Sequence, residues 1–198
     1  MTARDRALWD VEAEAFDDEP DHGLRDPLVR DAWRSLLASL LPPAPARVAD
    51  LGCGTGTLSL LLAEDGYEVD GIDFSPEMVR RATAKAGSFP GTTFAVGDAA
   101  APALERAAYD VALCRHVLWA LPDPVAALRR WVGLLRPEGR LVLVEGDWST
   151  GAGLTGEAVV ALVEAVGLVA ERRPLEDPAY WGKRIEDERY VVVGRRLP

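Results

Sequence analysis

The chain has 198 residues, a length that suits one domain with a sizeable hydrophobic core. Apolar residues make up 48% and charged residues 27%, so the composition is neither that of a disordered chain nor that of a membrane protein. The net charge of −10 repels polyanions at long range, which argues against a nucleic-acid partner.

Targeting segments and disulfides are not recognisable in the sequence. Residues 1–10 are charged and lack the apolar run of a signal peptide, and no apolar stretch reaches the ~18 residues of a membrane span. The two cysteines, Cys53 and Cys114, lie in hydrophobic segments, which fits buried thiols in a reducing compartment. We therefore expect a cytoplasmic protein with no membrane partner.

Residues 1–45 predict two helices and no strand. Three apolar residues share one face of the first helix, which the acidic run at 17–23 ends: Trp9, Ala13 and Phe16. Asp26 and Pro27 predict the start of the second helix, with aspartate as N-cap and proline at the first helical position. We expect this region to form a lid and helical extension, in which Trp9 and Phe16 either cover a binding site or dock on the core.

From residue 46 onwards, strands and helices alternate. Seven strands are predicted, at 47–51, 67–72, 93–96, 109–114, 141–145, 168–173 and 190–195. Helices are predicted between them, and the helix that begins at Asp123-Pro124 is expected to bury Leu135 before Gly139 turns the chain into the next strand. Alternation of this kind indicates a parallel sheet covered on both faces, so residues 46–198 are expected to form the core of a single α/β domain.

A glycine-rich turn follows the first strand. Gly52, Gly54 and Gly56 form a G-x-G-x-G pattern, whereas a dinucleotide-binding turn has the spacing G-x-G-x-x-G. Glycine lets a ligand approach the backbone closely, and the helix behind the turn offers free N–H groups. The spacing favours a nucleoside without a pyrophosphate, although a tight turn in some other α/β protein has the same pattern.

Two carboxylates stand where the next strands end. Asp73 lies about twenty residues beyond the first glycine, where an acidic side chain accepts hydrogen bonds from both ribose hydroxyls. Asp98 follows the third strand, where it either accepts a hydrogen bond from an adenine amino group or caps a short helix after it. The two positions strengthen the prediction of a nucleoside site.

In order and spacing, these motifs resemble those of class I S-adenosylmethionine (SAM)-dependent methyltransferases, and the resemblance covers residues 46–145. It is nearest to the subgroup similar to ubiquinone and menaquinone biosynthesis methyltransferases. The resemblance implies a Rossmann-like, doubly wound, seven-stranded and mostly parallel sheet with an antiparallel last strand. It also implies SAM as cofactor and S-adenosyl-L-homocysteine as product. The residues it places around the cofactor are Asp50, Gly52, Cys53, Gly54, Gly56, Asp73, Phe74, Asp98, Ala99 and Arg115.

The resemblance implies methyl transfer to a small-molecule acceptor at an oxygen, nitrogen or carbon atom. Two other functions stay open: a non-catalytic module that binds SAM or S-adenosylhomocysteine, and a nicotinamide-dependent oxidoreductase, which the glycine spacing disfavours. Neither the acceptor nor the choice between monomer and homodimer follows from the sequence.

The acceptor is expected at the carboxyl ends of the strands, where ligands bind in open parallel sheets. His116 is the candidate general base, with a hydrogen-bonding or cofactor contact as its alternative, and Arg115 either steers an acidic substrate or forms a structural ion pair. Further candidates for substrate contact are Trp9, Phe16, His22, Glu145, Trp148, Tyr180 and Trp181.

Each of those further candidates has a structural alternative. Glu145 either binds a cationic amine or caps a loop. The aromatic residues either contact substrate or belong to the core. His22 is surrounded by carboxylates in the sequence, which favours a solvated surface residue or a local cap. His22 and His116 are the only histidines, and their spacing is not that of a transition-metal site, so no metal is predicted.

Overall fold

A computed structural model describes residues 3–87 and 89–196 of the chain, with the side chains of residues 3 and 4 outside that description. The described residues contain one seven-stranded sheet. Its strands are β1 (Arg47–Leu51), β2 (Glu68–Asp73), β3 (Thr92–Val96), β4 (Tyr109–Arg115), β5 (Leu135–Asp147), β6 (Val169–Pro174) and β7 (Glu188–Arg195).

The strand order across the sheet is β3-β2-β1-β4-β5-β7-β6. Neighbouring strands from β3 to β5 pair in parallel, whereas β7 runs antiparallel to both β5 and β6. The prediction of a seven-stranded, Rossmann-like sheet with an antiparallel last strand is confirmed. Strands are added to one side of the sheet from β1 to β3 and to the other side from β4 onwards. The switch point between β1 and β4 opens a crevice at the carboxyl ends of these strands.

Seven α-helices accompany the sheet in the described residues: α1 (Ala3–Glu12), α2 (Pro20–Gly23), α3 (Pro27–Leu40), α4 (Thr57–Glu64), α5 (Pro76–Ala86), α6 (Pro124–Val132) and α7 (Gly156–Glu164). The predicted helix starts at Asp26 and Asp123 are confirmed, because both side chains accept hydrogen bonds from backbone N–H groups of the first turns. Ser75 caps α5 in the same way, and a proline follows each of the three caps.

The core is divided between the two faces of the sheet. On one face, α3 and α4 pack their apolar sides against β1, β4, β5 and β7, and Trp33 of α3 is fully buried there. On the other face, α6 and α7 cover the same strands around Trp131, which is also fully buried. Because α3 contributes Trp33, Leu36 and Leu37 to the core, the second half of the predicted N-terminal extension is an integral part of the domain.

The remaining N-terminal segment, residues 3–24, is called the N-terminal cover below. It contains α1, a 3₁₀ turn at Phe16–Asp18 and α2. The prediction that Trp9, Ala13 and Phe16 share one helix is wrong for Ala13 and Phe16, because α1 ends at Glu12. The run 17–23 also differs from the prediction of a plain helix break, since Pro20 begins the short helix α2 within it.

The segment before β5 differs from the sequence-based prediction as well. Helix α6 ends at Val132, and Leu135, expected on the buried face of that helix, is the first residue of β5. Gly139 lies inside β5, where the pairing with β4 shifts register between Tyr109 and Val111. A Cβ at Gly139 would stand 3.0 Å from the carbonyl oxygen of Tyr109, so the irregular strand comes too close to its neighbour for a larger residue.

Among the described residues, no helix combines the length and apolarity needed to cross a lipid bilayer.

Candidate active site

A cavity of about 360 Å³ opens at the carboxyl ends of β1, β2, β4 and β5, under the N-terminal cover. This volume lies within the range of small-molecule sites, ~300–1,000 Å³. Thirteen of the predicted site residues line it: Trp9, Phe16, His22, Asp50, Gly52, Cys53, Gly54, Asp73, Phe74, Ala99, Arg115, His116 and Trp148. Nine other residues complete the lining: Thr55, Thr57, Leu58, Met78, Val117, Trp119, Ala120, Thr150 and Ala152.

The glycine turn bends tightly between β1 and α4. Gly52, Gly54 and Gly56 have φ angles of 81°, 54° and 77°, in the left-handed region that L-residues with a Cβ rarely adopt. Gly52 and Gly54 line the cavity, whereas Gly56 does not. A Cβ at Gly56 would stand 2.9 Å from both Ala82 and Phe94, so this third glycine allows α4 to pack closely against its neighbours.

We expect Gly52→Ala to destabilise the fold by about 2 kcal/mol or more, because it combines a strained backbone with a clash. The new Cβ would stand 2.4 Å from Cγ2 of Val117. The control is Gly167→Ala, since Gly167 has a similar φ of 84° but no atom within 4 Å of the new Cβ. Chemical denaturation measures both variants, and equal losses of stability would show that Val117 gives way without cost.

The carboxylate of Asp73 lies at the end of β2 and lines the cavity, with 7% of the residue exposed. One oxygen accepts a hydrogen bond from the Gly54 N–H and the other from the Ser75 N–H, both at 2.9 Å. Burial raises the pKa of this carboxyl despite the two hydrogen bonds. A carboxylate has about four acceptor positions, so two bonds to the backbone leave capacity for a ligand.

Asp50, at the end of β1, is a second buried carboxyl in the cavity wall. Burial raises its pKa to about 6, although the Ser59 hydroxyl donates a 2.5 Å hydrogen bond to it and the charge of Arg115 acts in the opposite direction. Arg115 also lines the cavity, but its guanidinium lies over the Trp33 ring and donates to the backbone oxygen of Asp21 at 2.6 Å. Arg115 therefore ties the N-terminal cover to β4, rather than forming the structural ion pair that was its alternative.

Polar contacts fasten the N-terminal cover over the glycine turn. The two carboxylate oxygens of Asp17 accept hydrogen bonds from the Thr55 hydroxyl at 2.5 Å and from the Lys85 ammonium at 2.9 Å. Burial alone would raise the pKa of Asp17, but these two donors outweigh it and hold the pKa below its usual value. Lys85 also contacts Thr57 at 2.8 Å, so residues from α4, α5 and the cover meet at one point.

Aromatic rings and two histidines surround the other end of the cavity. The His22 ring stacks on Phe16 with centroids 4.2 Å apart, and Phe16 itself stands 3.2 Å from a Cβ built on Gly54. The His116 ring lies edge-on to Trp148 at 5.1 Å. His22 is thus a cavity residue with 25% of its side chain exposed, and the interpretation of it as a solvated surface residue is wrong.

His116 has an unusual environment. Its φ of 59° is left-handed, and its Nε2 atom is buried without a hydrogen-bond partner among the described residues. Burial, reinforced by the charges of Arg115, His22 and Arg189, lowers the pKa of His116 well below its usual value, so the ring is neutral at physiological pH. Burial and Arg115 likewise lower the pKa of His22 to about 4.

The fold also brings these two histidines together with a carboxylate. One ligand-type atom from each of Asp21, His22 and His116 lies within 4.8 Å of the other two. Sequence spacing gave no sign of this cluster, because 93 positions separate His22 and His116 and only the packing of the cover over β4 joins them.

Glu145 does not line the cavity, contrary to its proposed contact with substrate. It is fully buried, and its Oε1 accepts hydrogen bonds from the N–H groups of Val117 and Leu118 at 3.1 and 2.8 Å. Of its two predicted alternatives, the loop cap is the one the structure shows. Burial raises the pKa of Glu145 to about 8 against these hydrogen bonds.

Three other predicted residues also lie outside the cavity lining. Trp181 is a core residue, 2% exposed, and it reaches the site only indirectly, with its ring stacked 6.1 Å from that of His116. Tyr180 packs on Trp33 in the core beneath. Asp98 is exposed and accepts a hydrogen bond from the Ala100 N–H in a turn, instead of capping a helix.

Comparison with known proteins identifies the type of domain. Residues 49–143 match a family model described as a methyltransferase domain. The ubiquinone biosynthesis O-methyltransferase of Xanthomonas axonopodis pv. citri is 38% identical over 109 residues, 54% of this chain and 46% of that protein. The segment matched by the family model runs from β1 into β5, so it includes the glycine turn and Asp73. A trans-aconitate 2-methyltransferase of Streptomyces avermitilis is 39% identical over 118 residues, 56% of this chain and 43% of that protein.

Solved structures show the same fold. One chain of the complex between the Haloferax volcanii Trm112 methyltransferase activator and a methyltransferase has a TM-score of 0.75 at 20% identity, covering 96% of this chain and 98% of that one. Magnesium protoporphyrin IX methyltransferase from Synechocystis PCC 6803, with bound SAM, has a TM-score of 0.65 at 26% identity, covering 87% and 77%. This chain spans less than half the length of the curated relatives named above.

The cavity fits SAM, which is the ligand bound in the Synechocystis structure. At Gly52 and Gly54, the positive φ angles and the missing Cβ atoms leave a cradle that larger residues would fill, and the buried Asp73 carboxylate stands beside it. A glycine-lined cradle next to a carboxylate suits a nucleoside with two free ribose hydroxyls.

Proposed function

We propose that this chain transfers the methyl group of SAM to a small-molecule acceptor and releases S-adenosylhomocysteine. The observation that carries the proposal is the continuity of the cavity. A glycine cradle with a buried carboxylate forms one end, and an aromatic compartment with two histidines forms the other. Donor and acceptor bound in one covered space meet the main requirement of methyl transfer, which is alignment with exclusion of water.

The cofactor is assigned to the cradle end. Asp73 accepts hydrogen bonds from the ribose hydroxyls, and Phe74 and Ala99 flank the adenine ring. Asp50 approaches the methionine amino group, where a buried carboxylate complements a cation. The support for these roles is that all four side chains line the same cavity as Gly52.

The acceptor is assigned to the end under the N-terminal cover. Trp119 and Trp148 form one wall, with ring centroids 5.7 Å apart, and Trp9 and Phe16 contribute apolar surface from the cover. Flat aromatic walls favour an acceptor with an apolar or aromatic body. The sulfonium group of SAM is already a good leaving group, so the side chains at this end serve mainly to position the nucleophile.

The test of this function is binding followed by turnover. We expect isothermal titration of the purified chain to show saturable binding of SAM and of S-adenosylhomocysteine, and no binding of NADH at the same concentrations. Each bound ligand should also raise the melting temperature, because it binds only the folded chain.

Turnover is then measured with labelled SAM and a panel of phenols, thiols and amines that carry apolar bodies. Transfer of label to an acceptor is the expected result. Binding of NADH in preference to SAM would contradict the proposed cofactor, and SAM binding without transfer to any acceptor would favour the non-catalytic module.

A further inference from the structure

Two segments far apart in the sequence meet above β4. Asp21 and His22 belong to α2 in the N-terminal cover, and His116 follows the last residue of β4. The Nε2 atom of His22 lies 3.6 Å from Oδ2 of Asp21, and one ligand-type atom of each residue is within 4.8 Å of the other two. Two imidazoles and one carboxylate on one side of a cavity are a ligand set that divalent transition metals use.

Both histidines are held in fixed orientations. The His22 ring is stacked on Phe16 and hydrogen bonded to the Phe16 backbone. The His116 ring lies between Trp148, edge-on at 5.1 Å, and Trp181, stacked at 6.1 Å. Metal-binding histidines commonly have one ring nitrogen fixed by a backbone carbonyl while the other faces the metal.

The conformation and burial of His116 are both unfavourable, and a ligand on its ring would relieve the second. Its left-handed φ of 59° is unfavourable for a residue other than glycine, and the Nε2 atom is buried with no partner among the described residues. Burying a polar atom without a hydrogen-bond partner is unfavourable. A coordinated cation gives such a nitrogen a partner.

We propose that Asp21, His22 and His116 bind a divalent transition metal ion of the Zn²⁺ or Co²⁺ type. In a tetrahedral zinc site with bonds of about 2.0–2.1 Å, neighbouring ligand atoms lie about 3.4 Å apart, so the atoms of the cluster have to approach one another by up to about 1.4 Å. With three protein ligands, at least one coordination position stays open, and it faces the cavity because His22 and His116 line it.

The charges around the cluster select the class of metal. The positive charges of Arg115 and Arg189 act on His116 and would also repel a bound cation. Among the three ligands of the cluster, only Asp21 is negative. Mg²⁺ and Ca²⁺ depend on several oxygen ligands, which this cluster lacks. Affinity must therefore come from the imidazole nitrogens, which suit Zn²⁺ and Co²⁺.

This site would define the acceptor more closely, a step that rests on the proposed function. An acceptor hydroxyl or thiol that coordinates the ion loses its proton to solvent more readily. Its oxygen or sulfur then bonds to the methyl carbon while the carbon–sulfonium bond breaks. The products are the methylated acceptor, S-adenosylhomocysteine and one proton. The acceptor class is a small hydroxyl or thiol compound with an apolar body.

The experiment uses the untagged, full-length chain after treatment with a chelator. Co²⁺ is titrated and followed by its visible absorption, and Zn²⁺ binding is measured by equilibrium dialysis with metal analysis; Mg²⁺ serves as the negative control. We expect one equivalent of Zn²⁺ or Co²⁺ to bind with a nitrogen- and oxygen-type spectrum. Because the chain has only two histidines, any imidazole ligation in that spectrum comes from His22 or His116.

Three variants assign the site. His22→Ala should weaken metal binding by about 100-fold or more. His116→Asn should do the same, and asparagine tolerates the left-handed φ at this position, so the fold is kept. Cys53→Ser controls for thiolate ligation within the same cavity and should leave metal binding unchanged. Circular dichroism checks that each variant is folded.

The proposal is overturned if no stoichiometric metal binds, if both histidine variants bind as the parent does, or if Cys53→Ser abolishes binding. SAM affinity is measured in parallel on the metal-free chain, so that failure of the metal site and failure of the proposed function are separate results. SAM binding without metal binding leaves the proposed function intact, and the reverse leaves the metal site intact.

Discussion

Replacing Asp73 by alanine is expected to weaken SAM binding about 10- to 100-fold. The carboxylate is buried at the edge of the cavity and is the acidic group best placed for ribose hydroxyls. Hydrogen bonds to a charged group contribute about 1.5–3 kcal/mol, which corresponds to this loss of affinity. Isothermal titration with SAM and with S-adenosylhomocysteine measures the change, and both ligands should lose affinity equally because they share the ribose.

Asp73 also supports the glycine turn, since it accepts hydrogen bonds from the N–H groups of Gly54 and Ser75. Asp73→Asn separates this structural role from ribose binding, because its single carbonyl oxygen replaces only part of the carboxylate. We expect the asparagine variant to melt closer to the parent than the alanine variant does, while its SAM affinity stays reduced.

The matched control for Asp73 is Glu68→Gln, which removes an exposed carboxylate at the opposite end of the same strand. Its SAM affinity should equal that of the parent. If Asp73→Ala bound SAM as tightly as the parent, the ribose would have to be held elsewhere and the assignment of the cradle would be wrong.

The cofactor end of the site follows from local sequence patterns. The glycines after β1 and Asp73 at the end of β2 were predictable because a parallel sheet brings its strand ends to one edge whatever the loops do. Arg115 and His116 at the end of β4 reach that edge for the same reason. Each position depends only on the identification of a strand and of the residue that leaves it.

The acceptor end was not predictable in this way. The contact of Asp17 with Thr55 and the convergence of His22 on His116 depend on how the N-terminal cover packs over strands that lie far away in the sequence. No periodicity encodes that packing. The orientation of Glu145 is a similar case, since residues at strand ends point either into a cavity or into the loop beside it, and the sequence is the same in both cases.

We expect Glu145 to make the free energy of unfolding of this protein depend on pH, and substitution by glutamine tests this. Its pKa in the folded chain is about 8 because of burial, against 4.5 for the ordinary side chain. Between these two values the folded chain holds a proton that the unfolded chain releases. The free energy of unfolding therefore decreases as pH rises through this window, by on the order of 5 kcal/mol in total.

Glu145→Gln is expected to abolish that decrease, because a neutral amide does not titrate and its oxygen can still accept from the Val117 and Leu118 N–H groups. At pH 8 the glutamine variant should be more stable than the parent by about 2–4 kcal/mol, and at pH 5 the two should be similar. Urea denaturation across this pH range measures the difference. Glu138→Gln, which changes an exposed glutamate of β5, is the control and should retain the pH dependence of the parent.

Glu145→Ala distinguishes a loop cap from a group that is merely buried. It leaves two backbone N–H groups without their acceptor, so it should cost about 2–4 kcal/mol even at pH 5, where the parent carboxyl is protonated. Because Val117 lines the cavity and contacts Gly52, a loosened loop should also weaken SAM binding in the alanine variant, whereas the glutamine variant binds normally. If the free energy of unfolding changed with pH in the same way in the parent and in the glutamine variant, Glu145 would be ionised in the folded chain. The loop would then be held by a buried charge.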